Sequence, residues 1–374
     1  MQKTKKYEFY NIPREYSSGD YKEVVDYIIK KYSKINGLIS IYDWGSLSDP
    51  GISDLDFIFV FDKNNAKSMP ILSRAFYLLN DRFRYIARHP FFYIDEESFK
   101  NIRYVYPDAK FKLLFGRNIK INKISSIDNY FSKIALISDI IVRHYPRDFL
   151  EQIIIKSINA RDMLLRLNSL KLSIKTIEIL TKENHSDWDY KINQIEKLRK
   201  NWFKENDFES LELLNEDAVK IAMHITDKFR QFLIKNNIVK IESGDNVRYN
   251  GARNNALFIK NWGKEKALND MSELIRNKKT FFSILPIELA PQQIEYSKYN
   301  GIISTYVNSK LNQALKYKLK YSDIIKKRAL IFNSQAKLAS QLRHSDFVAF
   351  FDFGYRNKSG INNTALNLIR IYRN

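Results

Sequence analysis

Residues 147–243 contain neither glycine nor proline. Nothing in that stretch forces a turn, so long helices can fill it without interruption. Leu150, Ile153, Ile154, Ile158, Leu164 and Leu165 follow Pro146 at helical intervals, and further periodic runs cover 192–203 and 211–233. The sequence therefore predicts an all-helical middle domain, residues 126–240. Sheets must be built from the chain on either side of it.

With 374 residues the chain is too long for one small core. Residues 1–125 alternate between helix and strand signals. Asp20 is placed to cap a helix through "YKEVVDYIIKKYSKI". "GLISIYDW", "DLDFIFVF", "PFFYIDEE" and "AKFKLLFG" read as strands, with a helix over 66–87 between the second and third. In 241–374 the glycines return. "VKIESGDNVRYN" reads as a hairpin, residues 292–342 as a long helix and "DFVAFFDFGY" as a last strand. The expected fold class is α+β: an N-terminal mixed-sheet module, a helical middle domain and a mixed α/β C-terminal region.

The chain has no cysteine, which excludes disulfides and thiolate metal sites. His89, His144, His185, His224 and His344 show no paired metal-ligand spacing. There is no phosphate-loop Gly-Lys-Ser/Thr motif and no Gly-x-Ser-x-Gly elbow. The opening "MQKTKKYEFYNIPREY" lacks the apolar core of a signal peptide, and no run approaches the ~18 apolar residues that span a bilayer. These features lead us to expect a cytoplasmic protein with no membrane contact. The formal net charge of +20 points to an anionic partner, although lysine is also a default surface residue in a chain this rich in Lys, Ile and Asn.

Within "IYDWGSLSDPGISDLDFIFVF", residues 41–61, two aspartates flank one leucine at the mouth of an apolar strand. Side chains alternate along a strand, so Asp54 and Asp56 face the same way. Their mutual repulsion must be offset by solvent, a basic partner or a cation. Paired oxygen ligands suit Mg²⁺, which takes one or two protein carboxylates and leaves positions for water and phosphate. Upstream, Gly45 lets backbone amides approach a phosphate and Ser46 adds a hydroxyl donor. "SDPG", residues 48–51, is also a good turn sequence in its own right.

Trp44-Gly45-Ser46, a short spacer and Asp54-Leu55-Asp56-Phe57 together resemble the nucleotidyltransferase superfamily with the polymerase-β-like fold. The resemblance covers about residues 20–120 and is specific over roughly twenty of them. It implies a catalytic module at 1–125 that moves a nucleoside monophosphate from an NTP to an acceptor, using Mg²⁺ or Mn²⁺. It implies that Asp54, Asp56 and a third carboxylate bind the metal, and that Gly45 and Ser46 hold the β- and γ-phosphates. Asp95, ending the apolar run "FFYID", is the candidate third carboxylate and would also help deprotonate the acceptor; Asp108 is the second choice. The charge favours RNA as acceptor over protein, a small molecule or a glycan precursor. Residues 241–374 would then form an acceptor or accessory domain. In the alternative reading, the fold is kept without catalysis and the basic surface binds nucleic acid. The Tyr/Lys stretch 295–328 suits either single-stranded nucleic acid or an ordinary amphipathic helix.

Overall fold

The computed structural model describes residues 6–45, 47–65, 76, 78–88, 90–183, 186–250, 255–277, 282–299 and 315–342. Helix α1 (Ser18–Tyr32) opens with a capping box: Ser17 is the N-cap and its side chain accepts from the Asp20 amide, while Asp20 reaches back to the Ser17 amide. Asp20 thus completes the cap from inside the helix rather than forming it alone. Strands β2 (Leu38–Trp44) and β3 (Asp56–Phe61) follow, then α2 (Asp81–Ala87), β4 (Phe92–Asp95), α3 (Glu96–Lys100) and β5 (Phe111–Gly116). The expected start of the helix after β3 lies outside the described residues.

These four strands form one mixed sheet in the order β4-β3-β2-β5. Strand β2 runs antiparallel to β3 and to β5, and β3 runs parallel to β4. Alternation divides the sheet cleanly. Ile41, Phe57, Phe59, Phe61 and Tyr93 pack against Tyr21, Val24, Ile28 and Tyr32 of α1. Tyr42, Ile58, Val60, Phe92 and Ile94 turn to the other face and join a second, larger core.

That larger core belongs to the middle of the chain. Helices α4 (Ser126–Arg143), α5 (Arg147–Ile154), α6 (Ala160–Thr181), α7 (Ser186–Glu205) and α8 (Phe208–Lys235) contribute Ile134, Leu167, Trp202 and Phe229, among others. One short strand interrupts the helices, contrary to the all-helical expectation. The pattern Ser-Ile-Asn of β6 (Ser157–Asn159) alternates, and β6 pairs in parallel with β1 (Glu8–Tyr10). The N-terminal segment is thereby tied to the helical region rather than to the main sheet.

The same core continues into residues 239–339. The predicted hairpin does not form. Strand β7 (Val239–Ser243) pairs instead with β11 (Lys316–Leu319), and β8 (Val247–Asn250) joins β9 (Asn255–Ile259) and β10 (Phe282–Pro286) in a separate sheet, beside α9 (Lys264–Arg276). The single helix expected over 292–342 is also divided, into α10 (Ala290–Ser297) and α11 (Ser322–Gln341) with β11 between them. "KYKL" alternates exposed lysines with half-buried Tyr317 and Leu319, a period of two that a helix cannot satisfy. "DFVAFFDFGY" lies outside the described residues. A buried ionic network pins α10 and α11 to α4: Asp139 accepts from Arg328 (2.8 Å), Tyr296 (3.0 Å) and Gln292 (2.7 Å).

Candidate functional site

The loop from Gly45 to Asp56 is held by the helical region. Asp49 closes a turn, its carbonyl accepting from the amides of Ile52 (3.1 Å) and Ser53 (2.8 Å). Two arginines from the helices then clamp it. Arg199 of α7 donates to the Asp49 carboxylate at 2.7 and 2.9 Å and to the Leu164 carbonyl at 2.6 Å. Arg161 of α6 donates to the carbonyls of Ile52 (3.2 Å), Ser53 (3.3 Å) and Tyr85 (2.6 Å), and its guanidinium lies 3.7 Å over the Tyr85 ring. Both arginines are buried. The Tyr21 hydroxyl receives the Gly51 amide at 2.9 Å, and the Tyr85 hydroxyl donates to the Gly51 carbonyl at 2.8 Å.

Two glycines in this loop do different work. A Cβ on Gly51 (φ +86°) would lie 2.2 Å from the Arg14 carbonyl oxygen and 2.6 Å from the Phe203 ring, so the close approach itself demands glycine. Gly45 has φ +128° and open space around it. There the backbone conformation, not crowding, selects glycine, and the turn's surface is left clear. Ser46 lies outside the described residues.

Strand β3 begins at Asp56, so Asp54 precedes the strand rather than sitting in it. Leu55 packs with the α1-side core. Asp56 stands opposite Trp44, on the face it shares with Ile58 and Val60, and Asp54 reaches the helical side as well. Arg88, just after α2, bridges Asp54 (3.3 Å) to Asp162 of α6 (2.9 Å). The carboxylates expected from sequence therefore do share one end of the sheet, and a guanidinium already partners one of them.

A basic wall stands beside them. Asp148 gathers Arg147 (2.5 Å), His144 (2.8 Å) and Arg166 around one buried carboxylate. Burial, together with the neighbouring charges of Arg88 and Arg147, pushes the Arg166 guanidinium down to about 9. Burial pushes Arg147 down to about 10, with Glu151 opposing. Both stay protonated at neutral pH. Arg88 and Arg166 keep about a third of their side chains exposed, so this wall meets solvent.

Asp43 is not among the residues expected from the sequence. It lies in β2, in register with Phe57 of β3 and Lys112 of β5. Burial first, and then the charge of Asp56, push its carboxyl up to about 6, while Lys112 acts in the opposite direction. The signal was available: a carboxylate two residues before Gly45 interrupts an otherwise apolar strand.

Asp95 does not join this group. It ends β4 opposite Phe61, at the far end of β3 from Asp56, which at about 3.3 Å per residue is some ~16 Å away. Asp95 does end an apolar run, but β4 is parallel to β3, so the end of β4 meets the end of β3 and not its beginning. There Asp95 is buried, caps α3 by accepting from the Ser98 amide (2.9 Å) and accepts from the Ser334 hydroxyl (2.5 Å). It lines a cavity of about 360 Å³ with Asp62, Glu96, Glu97, Lys63 and Lys100. Asp108 does lie toward the Asp56 end, ahead of β5, but is exposed and pairs with Lys133 at 2.9 Å. Among the described residues no group of three or more His, Asp or Glu side chains is arranged to hold a metal ion.

No protein-family model, no curated protein and no solved structure matches the chain. No described helix is long and apolar enough to cross a membrane.

Proposed function

We propose that this protein is a metal-dependent nucleotidyltransferase, moving a nucleoside monophosphate from an NTP to an acceptor with release of pyrophosphate. The observation that carries the reading is the pairing of two carboxylates, Asp54 and Asp56, with a basic wall of Arg88, Arg147 and Arg166 beside them. Phosphoryl transfer asks a protein mainly for positioning and for charge stabilisation. A triphosphate is polyanionic, and Arg88 and Arg166, each with about a third of its side chain exposed, can present positive charge to it.

Asp54 and Asp56 fit the one or two carboxylates that Mg²⁺ takes from a protein. When bound, such an ion would neutralise charge on the transferred phosphate. Arg88 competes for Asp54, so ion binding requires its guanidinium to turn toward the phosphates, where its charge is equally useful. Gly45, open on one side, lets the backbone lie against the triphosphate. The buried clamps from Arg161 and Arg199 fix the loop that carries Asp54, so the helical region sets the geometry of the carboxylates. The acceptor hydroxyl oxygen attacks the α-phosphorus and gives up its proton to solvent, the bond from the α-phosphorus to the α–β bridging oxygen breaks, and pyrophosphate leaves.

The Arg88–Asp54 ion pair also favours a second reading, a nucleic-acid-binding protein that keeps the module without catalysis. One experiment separates the two. The protein is incubated with each α-labelled NTP, Mg²⁺ or Mn²⁺, and cell extract, and label is followed into RNA, protein and small molecules. Transfer that disappears with Asp56→Asn supports the enzyme. No transfer with any NTP, from a protein that still binds nucleic acid, supports the binder.

A further inference from the structure

We propose that the exposed edge strand β5 and the segment after it form a binding track for single-stranded nucleic acid, leading to the Asp54/Asp56 end of the sheet. The proposal names an acceptor class for the nucleotidyltransfer reading and rests on that reading only for what happens to the bound strand.

Strand β5 is the edge of the four-stranded sheet. Between residues 110 and 123 the chain carries Lys110, Lys112, Arg117, Lys120 and Lys123 and no acidic residue. All five are exposed. Arg117 is held by Glu96 at 2.7 Å. Lys110, Lys120 and Lys123 have no carboxylate within ion-pair distance among the described residues, whereas Lys133, Lys171, Lys191 and Lys228 are paired. The nearby acids are Asp43, in register with Lys112, Glu96, which holds Arg117, the exposed Glu97, and Asp108, already engaged by Lys133.

Lysine on an edge strand also serves to block pairing with another chain. That accounts for Lys110 and Lys112, which lie at or in the strand. It does not account for Lys120 and Lys123, which come after β5 has ended and have no edge to protect. Exposed cations without a carboxylate partner among the described residues, Lys110, Lys120 and Lys123, suit contacts with a phosphodiester backbone. The segment spans the sheet: Phe111 lies at the Asp56 end, while Arg117 pairs with Glu96 and the Asn122 amide donates to the Lys100 carbonyl at the other end. Phe111 and Asp56 both stand opposite Trp44, on either side of β2. Two strand spacings, about 10 Å, therefore separate the start of the track from the carboxylates.

The test uses the full chain and a fluorescein-labelled, mixed-sequence, single-stranded RNA of twenty nucleotides. Its anisotropy is titrated from 50 to 300 mM KCl, without NTP or divalent cation. Two triple variants with equal charge change are compared: Lys110→Glu/Lys120→Glu/Lys123→Glu on the track, and Lys197→Glu/Lys200→Glu/Lys204→Glu on α7. The track variant should bind at least tenfold more weakly at 100 mM KCl. Its slope of log affinity against log salt should fall by about 2, from three lost phosphate contacts on a single strand. The α7 variant should change affinity less than threefold. If the track variant misfolds by circular dichroism, the Lys→Gln triple replaces it, with at least a threefold loss expected. Equal losses in both variants, an unchanged slope, or no RNA binding by the parent at 50 mM KCl overturns the proposal; an acidic protein as the partner would give the last result. Because no nucleotide is present, failure here leaves label transfer to be judged separately, and failure of label transfer leaves this binding intact.

Discussion

The two ends of strand β3 both carry acidic residues, yet they are built to opposite plans. At the beginning, Asp54 and Asp56 stand among arginines supplied by other elements: Arg88 after α2, with Arg161 and Arg199 fixing the loop from the helices. At the end, Asp95 is held by its own helix cap and by the Ser334 hydroxyl of α11, and Asp62 accepts from the Asn64 amide of its own turn; these donors are neutral. Carboxylates satisfied by neutral donors mostly serve the fold. Carboxylates whose cations come from afar, half-exposed and movable, are available to exchange those cations for a ligand. This difference, not the number of acids, is the ground on which we propose the beginning of β3 as the functional end.

The largest effect that can break the comparison is on nucleotide transfer. Asp56→Asn should lower transfer by about 10³, the scale seen when a preorganised electrostatic group is lost, while thermal unfolding stays cooperative at an equal or higher midpoint. Asp95→Asn should leave transfer within a factor of a few, since Asn caps a helix about as well as Asp. Rates measured side by side with labelled NTP decide it. Equal losses from both ends would mean the two carboxylate groups act together and the contrast drawn here is false.

Much of the beginning of β3 was legible in the sequence. The strand after Asp56 and the Gly45 turn were readable from residue type, although Asp54 precedes the strand, so alternation does not set its direction. What the sequence could not convey was direction. The apolar run "FFYID" looks the same whether β4 is parallel or antiparallel to β3, yet only an antiparallel β4 would have brought Asp95 to Asp56. The arginines were equally invisible. Arg161 and Arg199 fall in helical runs where a cation usually reads as a solvated face, and only the packing of α6 and α7 against the loop buries them. The long helix-permissive stretch did give the middle region, but its three-residue strand β6 depended on a partner more than a hundred residues away.

Stability sharpens the contrast at intermediate scale. Arg199→Met removes the ion pair to Asp49 and leaves the Leu164 carbonyl without its donor; about 3 kcal/mol should be lost, at the low end for a buried pair because Asp49 is partly exposed. At the other end, Asp95→Ala removes one cap and one buried hydrogen bond and should cost about 2 kcal/mol, while Asp95→Asn costs clearly less. Urea unfolding with unchanged slope reads all three. The two ends should also differ in what else is lost: Arg199→Met should lower transfer along with stability because it loosens the loop carrying Asp54, and Asp95→Ala should not. If Arg199→Met unfolds more easily but transfers nucleotide at the parental rate, the clamp is structural only.

The smallest effect concerns Asp43, where the functional end sacrifices a little stability. Burial and the charge of Asp56 push its carboxyl from 3.8 up to about 6 in the folded chain. A carboxyl raised in the folded state favours folding when protonated. Its contribution is fully present below pH 3.8, and it is lost as pH rises through about 6, because the fold must then hold a charge it solvates poorly. Asp43→Asn cannot ionise, so it should gain thermal stability relative to the parent as pH rises from about 4 to 6 and hold that gain above it. Asp56→Asn removes one cause of the shift and should move the parental transition to lower pH without abolishing it, since burial is the larger cause. Melting midpoints of parent, Asp43→Asn and Asp56→Asn at half-unit pH steps measure this directly. A pH-independent difference between the parent and Asp43→Asn would show that Asp43 keeps an ordinary carboxyl, and that its charge is not in contention with Asp56 at the mouth of β3.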